Sequence, residues 1–338
     1  MTSSRTHGGP DALGIAAHDF STNSHSSGPC PFALETVRRA DATRYPDASY
    51  ANLRAQLAQF HGVATERIVL AASASEFIFR ITAAAARGRA DAAVWLPPHS
   101  YGDYATAMTA HGLHRTDDAA AACLRWACEP SSPLGAAQKG LIELLGERQK
   151  VTVLDRAYEP LRLQGRATLD ATQLDTVWQL WTPNKALGLT GVRAAYAIAP
   201  LHAEALVATV EALCPSWPVG AHGVAMLQAW TLAGVQEWLA TSLITLRAWK
   251  ARQIDMCESL GWICLPSDAN FFCAKPVLPD GPDLPRALLL LRQRGIKLRD
   301  TTSFGLPGHV RLGVLPPASQ DALRAAWQSL ITHNRTPL

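Results

Sequence analysis

The 338-residue chain is 48% hydrophobic and 17% charged, and its 31 basic and 28 acidic residues leave a formal net charge of +3. Low charge with an ordinary apolar content excludes disorder along the whole length, and the near balance of charge leaves no general nucleic-acid or membrane footprint. The length exceeds one small core and fits about two domains.

The first thirty residues are rich in Gly, Ser, Pro and His and carry little period. They read as an extended arm lying on the folded body. A helical pattern starts at Leu34 and breaks at Arg44-Tyr45-Pro46-Asp47, after which Leu53, Leu57 and Phe60 share one face of a helix over 50–61. A strand is predicted over 67–70, then small residues 71–75, a helix over 76–87 and a buried strand over 93–96 ended by Pro97-Pro98. Further strands are predicted over 124–128, 151–154, 177–181 and 194–198, with a helix over 141–145. His111, His114, Asp117 and Asp118 fall in what reads as a polar loop, not a metal site.

From 200 to 252 the pattern is mostly helical. The most apolar stretch, 219–244, is interrupted by His222, Gln228, Gln236 and Glu237, so it reads as a core helix pair and not a membrane span. Short strands over 262–264, 270–273, 297–299 and 310–314, with helices over 284–294 and 320–330, suggest a smaller α+β unit. Strands alternating with helices, some apolar on both faces, imply an α/β fold with a mostly parallel sheet flanked by helices. Seven scattered cysteines without a C-x-x-C read as free thiols in a reducing compartment, and Met1–Gly14 lacks a basic-then-apolar leader. A cytoplasmic protein is expected.

Two residues stand at predicted strand ends, where open α/β sheets bind ligands: Asp155 after 151–154 and Lys185 shortly after 177–181. The chain has only six lysines, so chemistry that needs an amine has few candidates. Apolar and small neighbours around Lys185 favour the neutral amine that attacks carbonyls, although a surface lysine in a loop fits the spacing as well. A helix or turn cap is the alternative reading of Asp155.

The run Thr182-x-x-Lys185 followed by Leu189-x-Gly191-x-Arg193 resembles pyridoxal-phosphate enzymes of fold type I. Within them it is similar to the branch of histidinol-phosphate aminotransferases and threonine-phosphate decarboxylases. Further matches follow in order: His7-Gly8-Gly9, Asp19-Phe20-Ser21-Thr22-Asn23, Arg44-Tyr45-Pro46-Asp47-Ala48-x-Tyr50, the second half of the turn Ala72–Glu76, Asp155-x-Ala157-Tyr158, Arg299-Asp300 and Val310-Arg311.

The resemblance implies pyridoxal 5'-phosphate as cofactor, with a residue for each part of it. Lys185 would bind it covalently and shuttle a proton at the substrate's α-carbon. Asp155 would pair with the ring nitrogen and keep it protonated, and Tyr158 would donate to the ring's phenolate oxygen. Tyr101 would stack on the ring face. Ala74 and Ser75 at a helix start, with Thr182 and Arg193, would hold the phosphate. Tyr45 would reach the phosphate of a neighbouring subunit, which implies a homodimer. Arg311 would clamp a substrate carboxylate, with His7, Asn23 and Arg299 near the substrate's distal end. The implied architecture is an arm (1–33) packing with the small domain, a large cofactor-binding domain (34–222) and a small C-terminal domain (223–338).

Departures accompany the matches. The family's N-P-x-N-P-T-G segment reads Glu129-Pro130-Ser131-Ser132-Pro133-Leu134-Gly135, so Ser132 stands where an Asn supports the ring oxygen. Its shorter hydroxyl is expected to reach that oxygen through water. The stretch from Tyr104 to Glu129 is short for the family, and Ser24-His25-Ser26-Ser27-Gly28 replaces its N-P-x-G after Asn23. Three functions remain open on these residues. They are transamination of a small amino acid or amino phosphate, decarboxylation of threonine phosphate in corrinoid assembly, and cofactor binding without turnover.

Overall fold

The computed structural model describes residues 8–89, 91–145, 150–278 and 283–333. In chain order these form β1 (His18–Asp19), α1 (Pro31–Arg38), α2 (Ala51–His61), β2 (Ile68–Ala71), α3 (Ala74–Ala86), β3 (Ala93–Trp95), α4 (Gly102–Ala110), β4 (His114–Thr116) and β5 (Leu124–Cys128). There follow β6 (Val151–Asp155), α5 (Ala171–Leu174), β7 (Trp178–Trp181), β8 (Ala195–Ile198), α6 (Glu204–Ala212), α7 (Ala221–Trp230) and α8 (Ala233–Ser259). The last part holds β9 (Ile263–Cys264), β10 (Phe271–Lys275), α9 (Leu284–Gln293), β11 (Ile296–Lys297), β12 (Arg299–Asp300), β13 (Val310–Gly313) and α10 (Pro317–His333).

A seven-stranded sheet in the order β2-β8-β7-β6-β5-β3-β4 forms the centre. Only β8 runs against its neighbours, so the sheet is mostly parallel, as the sequence pattern implies. Its central strands are buried on both faces because alternate side chains feed two separate cores. Ile68 and Leu70 of β2 and Tyr196 and Ile198 of β8 join the core under α1, α2, α7 and the start of α8. Val69, Ala71, Ala195 and Ala197 join the opposite core, under α3, α4 and α6. A third core gathers Phe20, the end of α8, β10, β13, α9 and α10 around a four-stranded antiparallel sheet in the order β12-β13-β10-β9. The boundary expected at 222/223 falls inside α7, whose Ala225, Met226 and Leu227 belong to the first core.

Two of the arm's attachments involve the backbone near the site and a small two-stranded sheet. The arm's strand β1 pairs in parallel with β11, beside the third core, and residues 25–30 hydrogen-bond to the backbone around Lys185. Two sequence readings are corrected. The helix expected over 141–145 is a turn ending in one 3-10 turn, Glu143–Leu145, because only Leu141 and Leu144 need burial there and a single turn provides it. The loop expected around His114 contains β4, a short edge strand parallel to β3, whose polar residues hide it from an apolar-run criterion. No described helix is long and apolar enough to cross a membrane. No group of three His, Cys, Asp or Glu gathers among the described residues.

Candidate active site

Four chain segments reach the same end of the central sheet. The carboxyl ends of β5, β6 and β7 deliver Cys128, Asp155 and, one residue past β7, Thr182. Because β8 is antiparallel, the loop from β7 returns at that same end and brings Arg193 back beside Thr182 and Lys185. β2 ends there too and feeds α3, whose first turn is fixed by Ser73: its hydroxyl accepts from the Glu76 N–H at 3.1 Å. This cap needs no glycine, since Ser73 is in extended backbone. The result is a cavity of about 580 Å³.

Of the residues singled out in the sequence, twelve line this cavity: Asn23, Ala74, Ser75, Tyr101, Ser132, Asp155, Tyr158, Thr182, Lys185, Arg193, Arg299 and Arg311. Tyr45 does not. It is 78% exposed and stacks on Trp217 with ring centroids 4.6 Å apart. His7 lies outside the described residues.

Lys185 Nζ sits 5.1 Å from the centre of the Tyr158 ring. The loop that carries it is pinned from the arm side, where the His25 N–H donates to the Lys185 carbonyl at 2.9 Å and the Cys30 N–H to the Leu187 carbonyl at 2.9 Å. Gly188 allows this closeness: it has φ +67°, and a Cβ there would stand 2.8 Å from the Gly28 carbonyl oxygen.

Asp155 is buried, with the Ala157 N–H donating to Oδ1 at 2.9 Å and the Tyr104 hydroxyl to Oδ2 at 2.7 Å. Burial raises its pKa above the ordinary carboxylate value; the Tyr104 hydrogen bond, the charge of Lys185 and the Ala157 N–H oppose that rise. Burial likewise raises the Tyr101 phenol.

At the start of α3 the exposed Arg193 makes no hydrogen bond or ion pair with the described residues, while the free N–H groups of the first turn open on the same cavity. Cation and helix start thus line one cavity, where the two could receive an anion. Thr182, expected to serve it with a hydroxyl, donates instead to Asn184 Oδ1 at 2.7 Å, and Asn184 Nδ2 donates to the Val192 carbonyl at 3.3 Å.

The opposite wall is cationic. Arg299 and Arg311 face one another across β12 and β13. Arg299 donates to Ser303 Oγ at 2.8 Å, and both guanidiniums lie over the Phe304 ring, at 4.8 and 5.4 Å from its centre. Burial, then the neighbouring Arg311, lowers the pKa of Arg299. Arg311 has no carboxylate partner among the described residues; it donates to the Ser21 carbonyl at 3.1 Å and to Ser132 Oγ at 3.4 Å. Ser132 therefore contacts the arginine. The amide nearest Tyr158 is that of Asn23, whose Nδ2 donates to Tyr158 Oη at 3.4 Å while its buried Oδ1 has no partner.

Residues 117–330, more than half of the chain, match the family model described as aminotransferase class I and II. The chain belongs to that family. Histidinol-phosphate aminotransferases are among the relatives of this family member. The one from Jannaschia sp. (strain CCS1) is 27% identical over 94% of this chain and 93% of its own, and that from Halorubrum lacusprofundi is 27% identical over 87% and 83%. Among solved structures, histidinol-phosphate aminotransferase from Sinorhizobium meliloti in complex with pyridoxal-5'-phosphate superposes with a TM-score of 0.81 at 22% identity, covering 98% of this chain and 96% of that one. L-threonine-O-3-phosphate decarboxylase from Porphyromonas gingivalis does so at 0.76 and 19%, covering 93% and 99%. The aminotransferase fold is that of fold-type-I enzymes, as the motif order implies.

The site of this aminotransferase family member also contains residues that sequence reading passed over. Tyr104, Cys128, Asn184, Thr190, Ser303 and Phe304 line it or hold its members. Tyr104 had a usable signal: it lies three residues after Tyr101 and three before Ala107, the spacing of an inward helix face, and both Tyr104 and Ala107 are fully buried. Phe304 had none, because it enters through a 3-10 turn, Thr302–Phe304.

The residues present fit pyridoxal phosphate. A buried carboxylate, an amine beside it and a cation with a helix start converge on one cavity. Arg193→Ala is expected to weaken cofactor retention by about 1.5–3 kcal/mol, the worth of a charged hydrogen bond. Equilibrium dialysis of pyridoxal phosphate against the apoprotein measures it, and unchanged affinity would place the phosphate elsewhere.

Proposed function

We propose that the chain is a pyridoxal-phosphate-dependent aminotransferase, similar in activity to histidinol-phosphate aminotransferases, acting on a small amino substrate with an anionic group. The observation that carries this reading is the convergence of Lys185, Asp155 and Arg193 on one cavity whose far wall holds Arg299 and Arg311. When bound, the cofactor supplies an electrophilic carbonyl and an electron-withdrawing ring.

This chain's residues do the rest. Lys185 Nζ provides the attaching amine and afterwards carries the proton to and from the substrate's α-carbon. Asp155 holds the ring nitrogen's proton, Tyr158 supports the ring oxygen with Asn23 behind it, and Tyr101 covers one ring face. The first turn of α3, Thr182 and Arg193 bind the phosphate, which requires the Thr182 hydroxyl to turn from Asn184. Arg299 and Arg311 orient the substrate through its anionic group, and orientation at the α-carbon decides which bond is broken.

The reading extends to assembly. The exposed Tyr45–Trp217 pair supports a homodimer in which Tyr45 reaches the partner's phosphate site. The seven unpaired cysteines support a reducing, cytoplasmic location. The large domain is taken to run from residue 34 through α7 and the start of α8, which share its core, and the small one to begin at the end of α8, with the arm packing on the small domain through β1.

The test is to give the loaded protein histidinol phosphate and a 2-oxo acid acceptor, and separately threonine phosphate. Amino-group transfer to the acceptor is expected. Carbon dioxide released from threonine phosphate without amino transfer would replace the reading with a decarboxylase, and binding without either product would leave a silent cofactor-binding relative.

A further inference from the structure

Asp155 is buried at the floor of an open cavity, and burial by itself favours the protonated acid. A protonated carboxyl cannot hold a ring N–H⁺. Something must therefore keep the acid ionised and pointed at the cavity before any ligand arrives. Three titratable groups face it: the Tyr104 hydroxyl from α4, the Cys128 thiol from β5, and Lys185 from the loop after β7. The thiol is itself pushed up by burial and by Asp155, and its hydrogen goes to the Pro130 carbonyl at 3.3 Å, so it gives the carboxylate nothing. Lys185 acts only through its charge, and in the proposed reaction its amine is committed to other bonds. Tyr104 alone donates a short side-chain hydrogen bond, 2.7 Å to Oδ2.

The packing of Tyr104 suits that task. Its ring is fully buried and lies face to face on Trp126, with centroids 4.3 Å apart and planes 8° from parallel. It meets Tyr101 edge-on at 5.8 Å and 85°. Trp126 is fully buried in β5, one sheet strand over from Asp155. The phenol is thus a rigid donor on a wall formed by the sheet, and the same stack backs the tyrosine proposed to cover the ring face.

We propose that Tyr104 is a positioning residue for the reaction: its hydroxyl, anchored by the Trp126 stack, holds the Asp155 carboxylate ionised and in one orientation for the cofactor's ring nitrogen. The inference rests on the pyridoxal-phosphate reading above for what Asp155 then does. The hold itself belongs to the protein without ligand.

The deciding variant is Tyr104→Phe, which keeps the ring and its stack and removes one hydroxyl. In the apoprotein, an infrared pH titration follows the protonated-carboxyl band that is absent from Asp155→Asn. The midpoint is expected to move upward by about one pH unit in Tyr104→Phe, the size of one lost charge-assisted hydrogen bond. An unmoved midpoint would overturn the proposal, since a purely structural tyrosine leaves it where it was. Pyridoxal-phosphate affinity is measured on the same proteins, and a loss of roughly tenfold near neutral pH is expected in Tyr104→Phe. A shifted infrared midpoint in a protein family member that binds no pyridoxal phosphate even as wild type would refute the cofactor reading while leaving the Tyr104–Asp155 hold intact. Equal affinity in both proteins, with wild type binding well, would refute the role of Tyr104 toward the ring.

Discussion

Lys185→Ala protein mixed with pyridoxal phosphate stays without the visible band of the lysine-bound cofactor, and its turnover falls by at least about 10⁴-fold. The upper range of general acid–base catalysis alone reaches that figure, and loss of the covalent attachment adds to it. No other lysine can substitute. Lys250 is the buried one of the six, but it donates to the Ser267 carbonyl and does not line the cavity. Burial lowers its pKa to about 8, so it could form such a bond if the cofactor reached it. Absorbance and mass spectrometry after borohydride reduction check this. A band that survives in Lys185→Ala, with mass added at Lys250, would sink the assignment.

Asp155→Asn is expected to lower turnover by roughly 10²–10³-fold, the usual loss when one stabiliser of developing charge is removed. It should also make the apoprotein more stable at neutral pH, and the sign follows from linkage. Burial holds the folded-state pKa of Asp155 above its ordinary 3.8. Between 3.8 and that raised value the folded chain binds more protons than the unfolded one, so stability falls as pH climbs through the window and stays lower above it. An asparagine pays no ionisation cost. Its oxygen can accept from the Ala157 N–H, and its amide can donate to the Tyr104 oxygen, so neither neighbour is orphaned. The variant's Tm should exceed wild type at pH 7 and match it near pH 3. A lower Tm at pH 7 would show that Asp155 is a structural cap and not a carboxylate held ready at some cost in stability.

Much of this was readable from the chain. The strands over 124–128 and 151–154 and the lysine loop were legible because burial on both sheet faces produces nearly continuous apolar runs, interrupted by Arg125 and Thr152, and those runs end where the site begins. The residues whose contacts cross long sequence distances were not. Ser132 lines the cavity, but the hydrogen bond it accepts there from Arg311, 179 positions away, has no signal in the sequence. Asn23 was expected at the substrate's far end; it lies against Tyr158, because the arm folds back over the lysine loop through hydrogen bonds from His25 and Cys30. His25 itself, a departure from the family pattern, turns away from the cavity. It bonds Ser242 at 2.7 Å and packs on Trp238, and burial lowers its pKa to about 4. Periodicity reports which face of an element is inward, but not which distant element it meets.

The cavity wall runs from Gly8 to Arg311, and the contact closing it joins Arg311 to the Ser21 carbonyl across 290 positions. During translation, therefore, no nascent chain shorter than this span can assemble the complete pocket. Loading by a ligand becomes a late, all-or-nothing event that certifies the finished protein. Once loaded, the occupant works as a clasp on both chain ends, stabilising the native state by about 2.7 kcal/mol at a hundredfold excess over its Kd.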